Sequence, residues 1–185
     1  MKRIFAASCL MILIPVIVAK TQILSSKSKQ ESMFLDIWVG DWTLVGTTKY
    51  LPTAPEHNLN WHIHGHQILG GSFVQLDQTW YDVNGQQEQA LEILSFNPVS
   101  KTHSSHGYMN DGTTWVATAI YDDLIVVQNG TISTPDGKVI KVRDTWVFTP
   151  DYLNVSATEE STLGGVRWTS WSVKGTKAKS PTKTK

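Results

Sequence analysis

Turn-forming residues recur along this chain at intervals that only short strands can fill. Asn84-Gly85, Asn97-Pro98, Asn110-Asp111-Gly112, Pro135-Asp136-Gly137, Pro150-Asp151 and Gly164-Gly165 punctuate it. Glycine and asparagine accept positive φ and proline removes a backbone donor, so each group favours a tight reversal. The runs between them are rich in β-branched and aromatic residues. They give ten candidate strands, 41–50, 59–68, 72–82, 89–96, 101–109, 113–121, 124–133, 138–148, 152–161 and 166–174. Many short consecutive strands with no helix among them predict an all-β fold. The expected form is a single antiparallel up-and-down barrel of about eight to ten strands, with room for one small ligand. A two-sheet sandwich has similar strand statistics and stays open as the alternative. One segment departs from the pattern. Ser32 offers an N-cap, Met33 to Val39 carries apolar residues at helical spacing, and Gly40 ends the run, so one short N-terminal helix is expected there.

The 185 residues suit one domain with a real core. Met1-Lys2-Arg3 precedes an uncharged apolar run from Ile4 to Ala19, the layout of a cleaved secretory signal. That run is 16 residues long and contains Pro15, short of the roughly 20 residues a membrane span requires. The expected organisation is a signal peptide over 1–19, a polar linker over 20–31, the barrel over 32–175 and a basic disordered tail over 176–185. Secretion or a periplasmic location follows. The only cysteine, Cys9, lies in the signal, so the mature chain is expected to have neither disulfides nor cysteine catalysis.

A net charge of zero conceals a segregation. Residues 31–173 hold six basic and sixteen acidic side chains, a balance of −10, with the remaining lysines and Arg3 at the two ends. An acidic body repels phosphate backbones, which disfavours nucleic-acid binding. The lysine-rich tail is expected to be solvated, with weak contact to an anionic surface as the functional alternative.

Seven tryptophans, Trp42, Trp61, Trp80, Trp115, Trp146, Trp168 and Trp171, are spread over most of the strands. Each can bury about 150–250 Å² as core, and rings of this kind also line ligand pockets. The segment Trp61-His62-Ile63-His64-Gly65-His66 adds alternating histidines. On a straight strand His62 and His64 project from one face about 6.6 Å apart, near enough to share a metal, whereas His62 and His66 are about 13 Å apart. A bulge at Gly65 would redirect His66, and a metal would need a further ligand such as His103, His106 or a carboxylate. The simpler reading turns Leu59, Trp61 and Ile63 inward and the histidines outward. A His-x-His barrel strand also suggests cupins, but their glutamate and second glycine-rich motif are missing. Asp122-Asp123 and Glu159-Glu160 are sequence neighbours whose side chains point to opposite faces of a strand, so neither pair forms a catalytic dyad. Both are expected at solvated edges or turns. Asn129-Gly-Thr131 and Asn154-Val-Ser156 fit the glycosylation sequon.

Phe34-Leu-Asp-Ile-Trp-Val-Gly-Asp-Trp42, Trp61, Leu69-Gly-Gly-Ser-Phe73, Ser95-Phe-Asn-Pro98, Asp136-Gly-Lys138 and Arg143-Asp-Thr-Trp146 occur in that order. Together they resemble an uncharacterised, mainly bacterial family of small lipocalin-like β-barrels of the calycin type, a domain of unknown function, over roughly residues 33–175. Ser72 stands where that family usually has arginine. The resemblance implies a calycin barrel and carries over no catalytic residues. Gly40-x-Trp42-x-x-x-Gly46 is more distantly similar to haem-binding ten-stranded barrels, but their late haem-ligating histidine has no counterpart after His106.

The function expected from the sequence is an exported, non-enzymatic barrel holding a small apolar or amphipathic ligand. Trp42, Trp61, His64, His66, Trp80, His106 and Trp115 are the candidate contacts. The competing expectation is a metal- or haem-dependent barrel enzyme built on the His62 and His64 pair.

Overall fold

The structure, a computed structural model, describes residues 34–179. The expected signal peptide, the linker and most of the basic tail lie outside them. A helical turn over residues 34–36 leads into ten strands. These are β1 (Gly40–Thr48), β2 (His57–Ile68), β3 (Phe73–Tyr81), β4 (Gln87–Asn97), β5 (Thr102–Met109), β6 (Thr114–Asp122), β7 (Ile125–Ser133), β8 (Val139–Phe148), β9 (Asn154–Leu163) and β10 (Val166–Lys177). A 3-10 turn at Leu69–Gly71 joins β2 to β3. Each strand pairs antiparallel with the next, and β10 closes on β1 from Trp42 opposite Lys177 to Thr48 opposite Trp171. The all-β up-and-down barrel expected from the turn spacing is therefore present, closed and ten-stranded. Closure also removes the sheet edges that a sandwich would have had to protect.

Alternation along each strand separates an inner from an outer face. In β1, Trp42, Leu44 and Thr48 are buried while Asp41, Thr43 and Val45 are exposed. In β2, Leu59 and Ile63 are buried while His62 and His64 are exposed. The two ends of the barrel are filled differently. At the end where β1 begins, residues 34–39 fold back over the opening and Leu35, Ile37 and Trp38 join a close-packed apolar core with Trp42, Val74 and Phe148. Trp38 meets Trp146 and Phe148 edge to face, with centroids 5.0 and 5.5 Å apart. Burying each of these three side chains stabilises the plug by about 2 kcal/mol.

Gly65 serves this plug, and no bulge forms there. The register of β2 with β3 runs unbroken from Trp61 opposite Trp80 to Ile68 opposite Phe73. A Cβ on Gly65 would lie 1.9 Å from the Trp38 carbonyl oxygen, so the glycine makes room for the backbone of the plug. The rerouting of His66 that a bulge would have caused therefore does not occur, and His66 stays on the outer face with His62 and His64. The irregularity occurs instead in β10, where the register with β9 shifts between Thr169 and Trp171. Ser170 is the extra residue. Its insertion lets Trp168 and Ser170 face inward on one side and turns Trp171 inward as well, where a regular strand would alternate.

Candidate ligand-binding lumen

Toward the end opposite the plug, the inner face changes character. Gln78 of β3, Glu92 of β4, Ser105 of β5, Gln128 of β7 and Glu159 of β9 are all buried. They form a polar belt across the middle of the barrel. Strand alternation puts them there, since each lies at an inward position of its own strand. The belt divides into two networks. In the first, Gln78 Nε2 donates to Glu92 Oε2 at 2.6 Å, Ser105 Oγ donates to Glu92 Oε1, and Trp115 Nε1 donates to Ser105 Oγ at 3.2 Å. Trp115 can reach because its indole lies over Gly107, where a Cβ would come within 1.9 Å of the ring. In the second, Ser161 Oγ and Ser170 Oγ both donate toward Glu159 Oε1. The β10 bulge is what brings Ser170 into this network.

Asp144 of β8 completes the belt. It stands directly opposite Glu159 in the β8–β9 register and opposite Gln128 in the β7–β8 register. Burial holds the Asp144 carboxyl well above the ordinary carboxylate range, and the adjacent Glu159 and the facing Glu92 push it further up. Burial likewise raises Glu92, while its hydrogen bonds from Ser105, Gln78 and Trp115 oppose that shift. Two carboxylates in contact in a dry site cannot both ionise cheaply, so the Asp144–Glu159 pair retains a proton above the usual range. Reading Glu159 as a solvated edge residue is thus corrected. Glu159 is 7% exposed and points inward, and only Glu160 beside it faces solvent. Adjacency in sequence does keep these two apart, but the barrel supplies Glu159 with a different partner, from the next strand.

Indole rings stand against this belt. Trp61 lies 6.2 Å from Trp80, 6.0 Å from Trp146 and 5.7 Å from Trp171, and Trp146 lies 5.3 Å from Trp171, all centroid to centroid. Trp171 is the β10 partner of Glu159, and Trp146 lies two residues beyond Asp144 on the same face of β8, so rings and carboxyls share one space. Trp61, Trp80, Trp115, Asp144 and Trp171 keep partial exposure, whereas the plugged end is sealed to a few per cent. Trp61 Nε1, Trp146 Nε1 and Asp144 Oδ1 are buried without a hydrogen-bond partner. Trp42 Nε1 and His103 Nδ1 under the plug are likewise without a partner, and each such buried atom costs roughly 1–3 kcal/mol.

The residues singled out from the sequence fall in three places. Trp61, Trp80 and Trp115 are in this lumen. Trp42 lies deep in the apolar core under the plug, with Lys177 Nζ 5.5 Å over its ring and bonded to the Ile37 carbonyl oxygen at 2.9 Å. His62, His64, His66 and His106 are on the outer face, away from the lumen. His62 Nδ1 is 3.4 Å from Thr43 Oγ1, and His64 Nδ1 is 2.6 Å from Asp41 Oδ1. His66 stands beside His64 with its Nδ1 3.7 Å from Asp77 Oδ2, beyond hydrogen-bond reach. Among the described residues, no three His, Cys, Asp or Glu side chains converge in a way that could hold a metal. His103 is the histidine that turns inward. It packs against Phe34, Phe96 and Tyr121, and burial pulls it down to about 4.

The sequence reading left out Glu92 and Asp144 and took Glu159 for a solvated acid. Each sits at the inward parity of its strand, which is a usable signal once strand boundaries are known; in isolation they look like ordinary surface acids. Trp171 gave no such signal, because the bulge inverts its parity.

No family model matches this sequence, and no curated protein matches it. Among solved structures, the chain is similar to the crystal structure of Rv2717c from M. tuberculosis, with a TM-score of 0.63 and 14% sequence identity over 80% of this chain and 98% of that one. At that identity the likeness concerns the fold alone, and the chain shares with this neighbour the architecture of an antiparallel β-barrel.

Proposed function

We propose that this protein is an exported binding barrel that takes a small amphipathic ligand into the half of its lumen opposite the plug. It would belong with the lipocalin-like family that its motifs resemble. The observation carrying this reading is the polar belt of Gln78, Glu92, Ser105, Asp144 and Glu159 inside the barrel, set beside the indoles of Trp61, Trp80 and Trp171, which keep partial exposure. Ligand sites commonly combine mostly aromatic walls with a few fixed polar groups. The metal- or haem-dependent alternative built on His62 and His64 draws no support from two exposed imidazoles already engaged by Thr43 and Asp41. The basic tail would add, at most, weak attraction to an anionic surface.

The test is a titration of the purified protein with the neutral apolar probe N-phenyl-1-naphthylamine, followed by tryptophan fluorescence, together with mass spectrometry of whatever gentle extraction releases. Saturable quenching that is lost in Trp61→Ala is expected. Protein that yields no extractable small molecule and whose emission does not respond to the probe would end this reading.

A further inference from the structure

We infer that the outer face of β8, β9 and β10 is a docking surface for an acidic polysaccharide, a hydrated polymer bearing carboxylate or sulfate groups at intervals. This face is separate from the lumen, and the inference stands or falls independently of the ligand reading above.

The acidic balance of the body is unevenly spread. Residues 34–137 carry eleven acidic and two basic side chains, whereas residues 138–179 carry four acidic and seven basic ones. Of those four acids, Asp144 and Glu159 are turned into the barrel and Asp151 lies in the β8–β9 connection. Among the described residues, Glu160 is therefore the one acid on the outer face of these three strands. The register sets cations around it. Thr162 of β9 has Lys141 of β8 on one side and Arg167 of β10 on the other, and in the next outward row Glu160 lies between Arg143 and Thr169. Toward the far end of β10, Lys174 stands opposite Ser156. Lys138 and Lys177 are already engaged, by Asp136 and by the Ile37 carbonyl with the Trp42 ring. Lys141, Arg143, Arg167 and Lys174 are exposed, and among the described residues none of the four is in an ion pair. They form a stripe two strand spacings wide, about 10 Å, and about 20 Å long. Past Lys174 the chain runs on through Lys179 to Lys183 and Lys185.

A stripe of that length fits an extended polyanion better than one small anion, and guanidinium forks take carboxylate or sulfate oxygens in pairs. What lies between the cations narrows the class. Thr145, Thr158, Thr162, Thr169 and Ser172 face outward there, and each hydroxyl can both donate and accept, which matches the hydroxyls of a sugar polymer. A bilayer would call for apolar side chains among the cations, yet the exposed Val139, Val147 and Val166 stand only at the ends of their strands. A single-stranded nucleic acid would call for aromatic platforms, and no aromatic side chain faces outward from these three strands. The acidic surface of the remaining strands repels a polyanion, which leaves this face as its approach.

Calorimetric titration of the purified protein at pH 7 with polygalacturonate, dextran sulfate and uncharged dextran, repeated across ionic strength, tests this. Both acidic polymers are expected to bind, dextran to show no binding, and the affinity to fall as salt rises. Arg143→Gln and Arg167→Gln together should weaken polygalacturonate binding at least about tenfold. They should also lower the slope of log affinity against log salt by about one per residue. Lys101→Gln, in the β4–β5 connection, should change neither quantity, and removing residues 180–185 should weaken binding less than the arginine pair does. Failure of both acidic polymers to bind at low salt overturns the assignment, as does an arginine pair variant that binds like the unmodified protein. Tighter binding to phosphatidylglycerol vesicles or to oligodeoxythymidylate than to polygalacturonate also overturns it, in favour of a membrane or a nucleic acid. None of these outcomes touches the lumen, whose own test is the naphthylamine titration. Both arginines are exposed, so folding should be unaffected, as circular dichroism will check; the comparison among polymers on the unmodified protein decides the matter even if a variant misfolds.

Discussion

Replacing Asp144 with asparagine should make the empty barrel more stable at neutral and alkaline pH, and the size of the gain follows from its position. Asp144 and Glu159 face one another across β8 and β9, which puts their Cβ atoms about 5 Å apart. Two unit charges at about 5 Å, in an effective dielectric of about 20, repel by about 3 kcal/mol. The unmodified protein avoids part of that repulsion by holding a proton, and this sets the sign of its pH dependence. The folded carboxyl titrates well above the ordinary 3.8. Between 3.8 and its folded value, the native state therefore binds more protons than the unfolded state, and stability falls as pH rises. The loss is about 1.4 kcal/mol per pH unit for one proton. Below about pH 4 the carboxyl is protonated in both states and the contribution is fully present.

Asparagine is nearly isosteric, carries no charge and can donate to Glu159. The expected gain for Asp144→Asn is thus near zero at pH 4 and grows to at most about 3 kcal/mol at pH 8. For a chain of this size that is roughly 6–12 °C in midpoint temperature. Thermal unfolding of both proteins, followed by circular dichroism from pH 4 to pH 8, measures it directly. A stability gap that stays constant with pH, or an asparagine variant less stable at pH 8, would refute the argument that these acids lie uncompensated in the lumen.

Other expectations follow from the same geometry. Burial pulls His103 to about 4 from 6.5. The folded state then binds fewer protons than the unfolded one between those values, so this group costs stability as pH falls, by at most about 3 kcal/mol. His103→Phe should flatten that acid limb, and an imidazole resonance titrating near 6.5 in the wild type would contradict it. Gly65→Ala would place a Cβ 1.9 Å from the Trp38 carbonyl oxygen; it should lift the plug and lose about 1–3 kcal/mol in urea unfolding, and a loss under about 0.5 kcal/mol would mean the plug is not seated there. His62→Ala and His64→Ala should each change stability by no more than about 0.5 kcal/mol, as exposed substitutions do, with zinc uptake unaltered when followed by elemental analysis. Reduced zinc content in either variant would revive the outer histidines as ligands.

The barrel was legible because its signals are local. Gly85, Gly112 and Gly137 all adopt the positive φ that their turns require, and the runs between the turns carry strand composition, so ten segments could be placed from neighbours in sequence alone. The inward direction of Leu59 and Ile63, with His62 and His64 outward, was readable from the same two-residue period. The lumen was much less so. Trp61, Trp80 and Trp115 were recognisable as candidate wall residues, but nothing near Glu92 or Asp144 in the sequence distinguishes a lumen acid from a surface acid. Their chemistry arises from partners 13 to 15 residues away, namely Ser105, Gln78 and Glu159.

The sequence by itself determined the candidate strands and the turns between them, the tryptophan load and the acidic balance of the body, because composition and short-range periodicity carry each of these. The tertiary structure alone decided which residues meet. Closure of β10 on β1 gave every strand two neighbours, and the register of β8 on β9 set Asp144 against Glu159. One extra residue at Ser170 turned Trp171 inward, and the Trp38 carbonyl claimed the space at Gly65. Parity and register depend on the whole sheet closing at once, and a shift of one residue in any strand would have exchanged its inner and outer faces.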